Sequence, residues 1–268
     1  MTRLTLATWN INSIRLRIDR VVDFIERQKP DVVCLQEIKC QIGEFPKTAF
    51  EACGLPYLEI AGQKGMHGVA IASRYPLSPS PRPVFCRHDH ARVCAVEVKG
   101  LTLHNLYVPA GADVPDPELN DKFAHKLDFL ERMTNYYSNR ARAASSPLLV
   151  VGDINIAPEE HDVWSHRQLL DVVSHTPVET NGLKNLLNQG ELSDIARMKH
   201  GPEQKLYTWW SYRAADWRTS NRGRRLDHIW ADNSAIGRTD INSYTIHVGE
   251  RDGEKPSDHV PVSVEIAL

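Results

Sequence analysis

A run of apolar residues that ends at once in two polar side chains is the feature that most constrains this chain. Leu148-Leu149-Val150-Val151 contains no polar position, which is typical of a strand covered on both faces. Gly152 follows, and a residue without a Cβ permits backbone angles that would end the strand. Asp153 and Asn155 then stand two positions apart, so in extended chain their side chains would leave the same face. The pattern predicts a core strand that delivers polar groups to one edge of a sheet.

Two interpretations of Asp153 and Asn155 are open from this stretch alone. Together they offer oxygen ligands for a hard cation, and Asn155 also offers N–H donors for a phosphate or a water. The alternative is an Asx turn finished by Pro158, which would be a purely structural use of the same residues. Both polar groups are costly to bury without a partner, so the rest of the chain has to decide.

The composition is that of a globular protein able to bury a substantial core, with 268 residues of which 41% are hydrophobic. Strand and helix patterns interleave over residues 1–268 without a linker, which predicts one α/β domain. No run of about 18 apolar residues occurs, and the N-terminus lacks the apolar region of a signal peptide, so we expect a cytoplasmic protein. The five cysteines are scattered and odd in number, which argues against a disulfide framework or a structural zinc site. Cys34 and Cys94 are expected to be core thiols.

Strands and helices are predicted from apolar periodicity along the chain. Further strands are expected at 4–10, 31–37, 69–73, 92–98, 101–108, 225–230 and 260–266. One helix is expected around 18–25, short ones at 166–174 and 181–189, and loops at 76–83 and 213–225. A long helix should place on one face Leu119, Phe123, Leu127, Leu130 and Tyr137.

Polar residues recur at or beside the ends of these apolar strands. If the strands form two packed sheets, such ends would converge on one cleft. Taken singly, each has a plainer interpretation: Glu37 as an exposed strand-end acid, and Asp227 with His259 as a structural ion pair. The strand-end residues are Asn10, Glu37, Tyr107, Asp153, Asp227 and Asp258.

A basic and aromatic stretch lies before the strand at 225–230. The formal net charge of −2 does not exclude a basic face. Arginines can hold phosphates, and an aromatic ring can fill the gap beside a missing base. The alternative is a solvated arginine loop with tryptophan in the core, as we expect for Trp230. The stretch contains Trp209, Trp210, Tyr212, Arg213, Trp217, Arg218, Arg222, Arg224 and Arg225 against one acid, Asp216.

Seven short motifs, weak one by one, are specific when they occur together in this order. They are Trp9-Asn10-Ile11-Asn12, Leu35-Gln36-Glu37-Ile38-Lys39, Gly68-Val69-Ala70, Asn105-Leu106-Tyr107-Val108-Pro109, Gly152-Asp153-Ile154-Asn155, Arg225-Leu226-Asp227 and Ser257-Asp258-His259. Through them the chain resembles, from about residue 4 to residue 266, the exodeoxyribonuclease III family of apurinic/apyrimidinic (AP) endonucleases. That family lies within the endonuclease/exonuclease/phosphatase superfamily.

The resemblance implies an α/β fold: a four-layer, DNase I-like sandwich of two packed mixed β-sheets flanked by helices. It implies hydrolysis of DNA phosphodiesters 5′ to abasic sites, 3′ to 5′ on duplex DNA, or both, with Mg²⁺ or alternatively Mn²⁺. The implied partner is double-stranded DNA with an abasic site or a 3′ end, bound by a monomer.

The resemblance also implies a role for each matching residue. The implied catalytic residues are Tyr107, Asp153 (which activates the attacking water), Asn155, Asp227 and His259, the last two forming the pair that contacts the scissile phosphate. The implied metal-site residues are Glu37 as the principal carboxylate, with Asn10, Asp153, Asn155, Asp258 and His259, and Asn12 in support. The implied DNA-binding residues are Asn12, Arg92, Trp209, Trp210, Arg213 and Arg222, and which of the two tryptophans meets the lesion is open.

Two other functions remain as alternatives. The first is a phosphodiesterase of the same superfamily that acts on inositol phosphates or sphingomyelin. The second is a non-catalytic DNA-binding protein on this fold. The arginine and tryptophan stretch favours DNA over lipid, and the full set of acids and His259 favours an enzyme over a scaffold.

Overall fold

The structure, a computed structural model, describes residues 3–143, 146–214 and 216–268. None of the helices in these ranges has the length and apolar character needed to cross a membrane. The strands are β1 Arg3–Asn10, β2 Val32–Gln36, β3 Tyr57–Ala61, β4 Val69–Ser73, β5 Ser78–Pro79, β6 Val93–Val98, β7 Leu101–Tyr107, β8 Leu148–Asp153, β9 Leu192–Asp194, β10 Trp209–Trp210, β11 Gly223–Arg224, β12 Asp227–Asp232, β13 Thr239–Ile246 and β14 Val262–Ala267. The α-helices are α1 Ile14–Gln28, α2 Lys47–Ala52, α3 Asp121–Ala141, α4 His166–Leu169, α5 Pro177–Gln189, α6 Ile195–His200, α7 Trp217–Ser220 and α8 Asn233–Ile236.

Twelve of these strands form two six-stranded sheets. The first has the spatial order β13-β14-β1-β2-β4-β3, and the second has the order β5-β6-β7-β8-β12-β9. Each sheet is mixed, because β1 and β2 pair in parallel, as do β7 and β8, while the other neighbours are antiparallel. The predicted class of two mixed sheets with flanking helices is confirmed.

Alternation of side chains along the strands creates four layers. In β1, Leu4 and Leu6 face the apolar layer shared with the second sheet, whereas Trp9 faces α1 and meets Phe24 edge to face at 5.5 Å. On the far side, α3 and α5 cover the second sheet, whose Val150 packs into their cluster. Apolar burial on both faces of each sheet is the main stabilising contribution to such a sandwich.

Gly152 serves a different purpose from the one predicted. The strand does not end there but runs on to Asp153. Gly152 has φ +133°, and a Cβ at this position would lie 2.0 Å from the backbone oxygen of Leu106 on the neighbouring β7. The glycine is therefore required by the close approach of two paired strands.

Several predicted elements differ in extent, and two of the differences occur at a side-chain cap. Leu119 lies outside α3 and is 80% exposed, since Asn120 caps the helix by accepting from the Lys122 N–H. The segment 76–83 includes β5, the helix expected at 166–174 ends at Leu169, and the loop 213–225 contains α7, which Asp216 caps. The eight-residue strand β13 and the shorter elements β3, β9, α2 and α6 were not predicted. The buried positions of Trp230, Cys34 and Cys94 are confirmed.

The strand register places the polar strand ends at the same end of both sheets. In the second sheet Asp153 pairs with Tyr107 on one side and with Asp227 on the other. In the first sheet Asn10 pairs with Gln36, the residue before Glu37. The Gln36 amide also donates across the sheets to Asn105 at 2.6 Å, so the two edges are held together by a buried hydrogen bond.

Candidate active site

The strand-end residues of the two sheets meet in one hydrogen-bonded cluster. Glu37 Oε1 accepts from Asn10 Nδ2 at 3.0 Å and from the Tyr107 hydroxyl at 2.9 Å. Asn10 Nδ2 also donates to Asp153 Oδ2 at 2.8 Å. The first sheet thus contributes Asn10 and Glu37, and the second contributes Tyr107 and Asp153. The site lies where the strand ends of the two packed sheets meet.

Asp153 is both a turn residue and a site residue. Its Oδ1 accepts the Asn155 backbone N–H at 3.0 Å, which is an Asx turn, while Oδ2 accepts Asn155 Nδ2 at 3.1 Å. Asn155 has φ 57°, so the chain is not extended there, and the expectation of a shared strand face is wrong. The left-handed turn brings the two side chains together instead. Burial raises the pKa of Asp153 to about 7 even though His259 opposes the shift.

His259 lies between two carboxylates. Its Nδ1 is 2.8 Å from Asp227 Oδ2, and its Nε2 is 3.7 Å from Asp153 Oδ2. Burial opposes the charged imidazole, but Asp227 and then Asp153 outweigh it and raise the pKa of His259 to about 10. At neutral pH the ring is therefore an imidazolium that donates to Asp227. Thr208 Oγ1 also donates to Asp227 Oδ2, at 2.6 Å, and so fixes the acid.

The predicted use of His259 as a metal ligand competes with a second use, as a donor to a phosphate oxygen. Asp153, Asp227 and His259 offer donor atoms that all lie within 4.8 Å of one another. A protonated imidazole has no lone pair to offer a metal, and its charge already compensates the two acids. His259 fits a donor to a phosphate oxygen better than a ligand.

Oxygens suited to a hard cation converge on the other side of Glu37. Glu37 Oε2 lies 2.8 Å, and Asn12 Oδ1 2.5 Å, from the ammonium nitrogen of Lys39. Burial would raise the pKa of Glu37, but Lys39 and the Asn10 hydrogen bond outweigh it and lower the pKa, so the carboxylate is ionised. Two oxygens directed at one positive charge match the ligand chemistry of Mg²⁺ and Mn²⁺.

Asn10 and Asn155 present N–H groups to this cluster, whereas their predicted use as metal ligands would require the amide oxygens. Asn10 Oδ1 accepts the Asn12 backbone N–H at 3.0 Å, so its Nδ2 faces Glu37 and Asp153. Asn155 Nδ2 donates to Asp153 and to the Val108 carbonyl at 2.9 Å. Both amides therefore bridge and orient the acids.

Asp258 is tied to the site by its neighbours. Its Oδ1 accepts from Asn12 Nδ2 and its Oδ2 accepts from the indole N–H of Trp209, each at 3.0 Å. The half-buried Trp209 thus belongs to the edge of the cleft. Trp210, in contrast, is 3% exposed and packs against Trp217 with ring centres 5.0 Å apart. The expectation that Trp210 contacts DNA is corrected, because its ring is enclosed by protein.

Arg92 is also buried, at 5% exposure. Its guanidinium lies 4.7 Å from the centre of the Tyr107 ring and donates to the Tyr107 carbonyl at 3.1 Å. Such a cation–π contact supports Tyr107 from behind the cleft. Arg92 is therefore a positioning residue for Tyr107 and not an available phosphate contact, which corrects the expectation.

The arginine stretch divides into internal and free members. Arg225 is fully buried against Asp162 and Asp194, and Arg224 donates to the backbone of Val173 and to Ser174 Oγ. Arg218 pairs with Asp252. Among the described residues, the exposed members without an acidic partner are Arg213 and Arg222.

Three supporting residues were missed by the sequence analysis. Thr208 orients Asp227, and Lys39 lies beside Glu37. Lys126 is fully buried on α3, where its Nζ donates to the Asn155 carbonyl at 2.8 Å and meets Glu179 at 2.5 Å. The signal for Lys126 was its position: a lysine on the same helix face as two core residues, Phe123 and Leu130.

The comparisons with known proteins agree with the fold. The model of the endonuclease/exonuclease/phosphatase family matches residues 7–259. An exodeoxyribonuclease III of Haemophilus influenzae is 30% identical over 96% of this chain and 98% of its own. An AP endonuclease of Archaeoglobus fulgidus superposes with TM-score 0.88 and 30% identity over 99% of this chain and 100% of its own. A 3′ phosphatase, NExo, from Neisseria, solved with a product DNA hairpin, superposes with TM-score 0.87 and 29% identity over the same shares.

Proposed function

The chain belongs to the endonuclease/exonuclease/phosphatase family, and we propose that it is a divalent-metal-dependent DNA repair nuclease. Its substrates are phosphodiesters 5′ to abasic sites and at 3′ ends of duplex DNA. The observation that carries the proposal is the cluster in which Asp153 is hydrogen-bonded to Asn10 and lies beside the His259 imidazolium. A base and a cationic donor side by side are what the hydrolysis of an anionic diester needs. The relatives named above, which act on or were solved with DNA, support the choice of substrate.

A magnesium ion held by Glu37, with Asn12 and Asp258 in support, would neutralise charge that develops on the phosphate. Asp153 Oδ2 takes the proton of the attacking water, because it is the buried carboxylate with the raised pKa. As the bond between phosphorus and the leaving 3′ oxygen breaks, the same carboxyl group returns that proton to the oxygen. The imidazolium of His259 donates from Nε2 to a phosphate oxygen, since Asp227 occupies Nδ1. Asn155 and Tyr107 orient the water and the phosphate through their N–H and O–H groups.

Asp227→Asn should move the alkaline limb of the pH–rate profile to lower pH. Wild-type kcat/KM is expected to fall as pH rises through about 10, where His259 loses its proton. Without the Asp227 charge, the imidazole loses that proton at a lower pH. The measurement is kcat/KM against pH for both proteins on one duplex substrate at saturating metal. An unchanged limb would show that His259 is not the group titrating there.

Arg222→Ala should weaken duplex binding about equally for all sequences and reduce the salt dependence of log Kd by about one unit of slope. Arg222 is exposed, with its guanidinium 4.7 Å from the Trp164 ring, and is free to meet a phosphate. Arg218→Ala is the matched control, because that guanidinium is already paired with Asp252. Equal effects of the two substitutions on the salt slope would contradict the assignment.

The proposed activity is tested with a duplex carrying one abasic analogue, incubated with Mg²⁺, with Mn²⁺ or with chelator. A 3′-recessed undamaged duplex runs alongside. Metal-dependent incision 5′ to the lesion supports the AP endonuclease, and shortening of the second duplex measures the 3′-exonuclease share. No cleavage of either would overturn the proposal in favour of phosphorylated inositols or lipids as substrates. A monomeric, cytoplasmic protein is part of the same proposal, checked by light scattering and by cell fractionation.

A further inference from the structure

Lys39 places a positive charge on the oxygens that suit a divalent cation. Its ammonium nitrogen lies 2.8 Å from Glu37 Oε2 and 2.5 Å from Asn12 Oδ1. These contacts use the outward oxygen of Glu37, because Oε1 is already hydrogen-bonded to Asn10 and Tyr107. An ammonium and a metal ion beside the same oxygen repel each other, so the two cations would compete for Oε2.

The backbone shows that this position of Lys39 is built into the fold. Glu37 and Lys39 have φ of 50° and 51°, in the left-handed region that costs about 1 kcal/mol or more for a residue with a Cβ. Flanking loops hold the strained segment: Ser13 N–H donates to the Glu37 carbonyl at 2.7 Å, and Lys39 N–H donates to the His67 carbonyl at 2.9 Å. Two left-handed residues either side of Ile38 bring both charged side chains to the same cleft.

The charges around Glu37 explain why a resident cation is useful there. The amide nitrogen of Asn10 donates to both Glu37 and Asp153, so a single side chain bridges the two carboxylates. Only 18% of the Glu37 side chain is exposed, which leaves little water to stabilise its charge. The Lys39 side chain is 31% exposed and can swing into solvent when it is replaced.

We propose that Lys39 is a resident counter-ion of the metal site. It holds Glu37 and Asn12 in place in the metal-free enzyme and is displaced when a divalent cation binds. Its charge therefore sets the affinity of the site by competition. This inference rests on the proposed function only in that Glu37 holds the metal.

The test measures Mn²⁺ binding to the free protein, without DNA, by titration calorimetry or by the loss of the free-ion EPR signal. Lys39→Met keeps most of the side-chain volume and removes the charge, and is expected to tighten Mn²⁺ binding roughly tenfold. Without metal, this variant should have a lower melting temperature than the wild type. Mn²⁺ should then raise its melting temperature by more than it raises that of the wild type. Lys39→Arg, which keeps the charge, should bind Mn²⁺ like the wild type. If the methionine variant does not fold, this arginine variant still tests the role of the charge. Lys47→Met removes the same charge from an exposed position on α2 and should change nothing.

The outcomes distinguish the role of Lys39 from the existence of the metal site. Tighter binding in Lys39→Met, with Lys39→Arg and Lys47→Met unchanged, supports displacement. Unchanged or weaker binding in Lys39→Met, or tighter binding in Lys39→Arg, overturns the role of Lys39 while leaving the metal site in place. Absence of Mn²⁺ binding to the wild type, with Glu37→Gln indistinguishable from it, overturns the proposed metal site itself.

Discussion

Asp153→Ala is expected to slow cleavage of a metal-loaded abasic duplex by about a thousandfold or more while changing duplex affinity by less than about threefold. The substitution removes the carboxylate beside His259 that is proposed to accept the proton of the attacking water. It leaves the exposed Arg213 and Arg222 and the cleft residue Trp209 untouched, so the contacts proposed to hold DNA remain.

The loss should appear in the single-turnover rate, where product release does not interfere. Affinity is measured on the same duplex by anisotropy with chelator present. Glu131→Ala is the matched control, because it removes an exposed carboxylate from α3 on the outer layer. A rate for Asp153→Ala within tenfold of the wild type would refute the role given to Asp153. Equal losses of rate and affinity would mean that the acid maintains the binding surface instead.

Much of this site could be predicted from strand ends alone. An apolar run fixes where a strand lies, and the first polar residues after it must leave at the edge of the sheet. That reasoning found Asn10, Glu37, Tyr107, Asp153 and Asp227. Direct hydrogen bonds join the first four, and Asp227 is linked to them through His259, whose Nε2 lies 3.7 Å from Asp153.

The direction in which a polar group points could not be predicted in the same way. The local Asn12 N–H occupies Asn10 Oδ1, but the acceptor that the Asn10 N–H group meets is Asp153, a residue 143 positions away. Whether Trp209 or Trp210 lines the cleft depends on Asp258 and Trp217, which reach them through tertiary packing. Residue type sets what a side chain can do, while distant partners decide which of its atoms are free to do it.

The same limit explains why Arg225 was taken for part of a basic surface. Its charge is neutralised internally by Asp162 and Asp194, and no pattern around residue 225 reveals either acid. A count of arginines in a loop therefore overstates the basic face whenever buried acids lie near in space.

Lys126→Met should be the most destabilising of the single substitutions considered, with a loss of about 3 kcal/mol in the free energy of unfolding. Lys126 and Glu179 are both fully buried and lie 2.5 Å apart, so removing the ammonium leaves a carboxylate without its counter-charge. Backbone N–H groups of Ser174 and Thr176 still donate to that carboxylate, which limits the loss. Urea denaturation measures it, with Lys122→Met, at an exposed position of the same helix, expected to stay within about 0.5 kcal/mol of the wild type.

The double substitution Lys126→Met with Glu179→Gln separates the charge from the packing. It removes both charges, so part of the stability should return if the unpaired carboxylate is the cause. Cleavage should not return with it, because Lys126 also donates to the Asn155 carbonyl and so holds the turn that orients Asp153. Recovery of full activity in the double variant would show that the pair only stabilises the fold. A loss below about 1 kcal/mol in Lys126→Met would show that water reaches Glu179 once the lysine is gone.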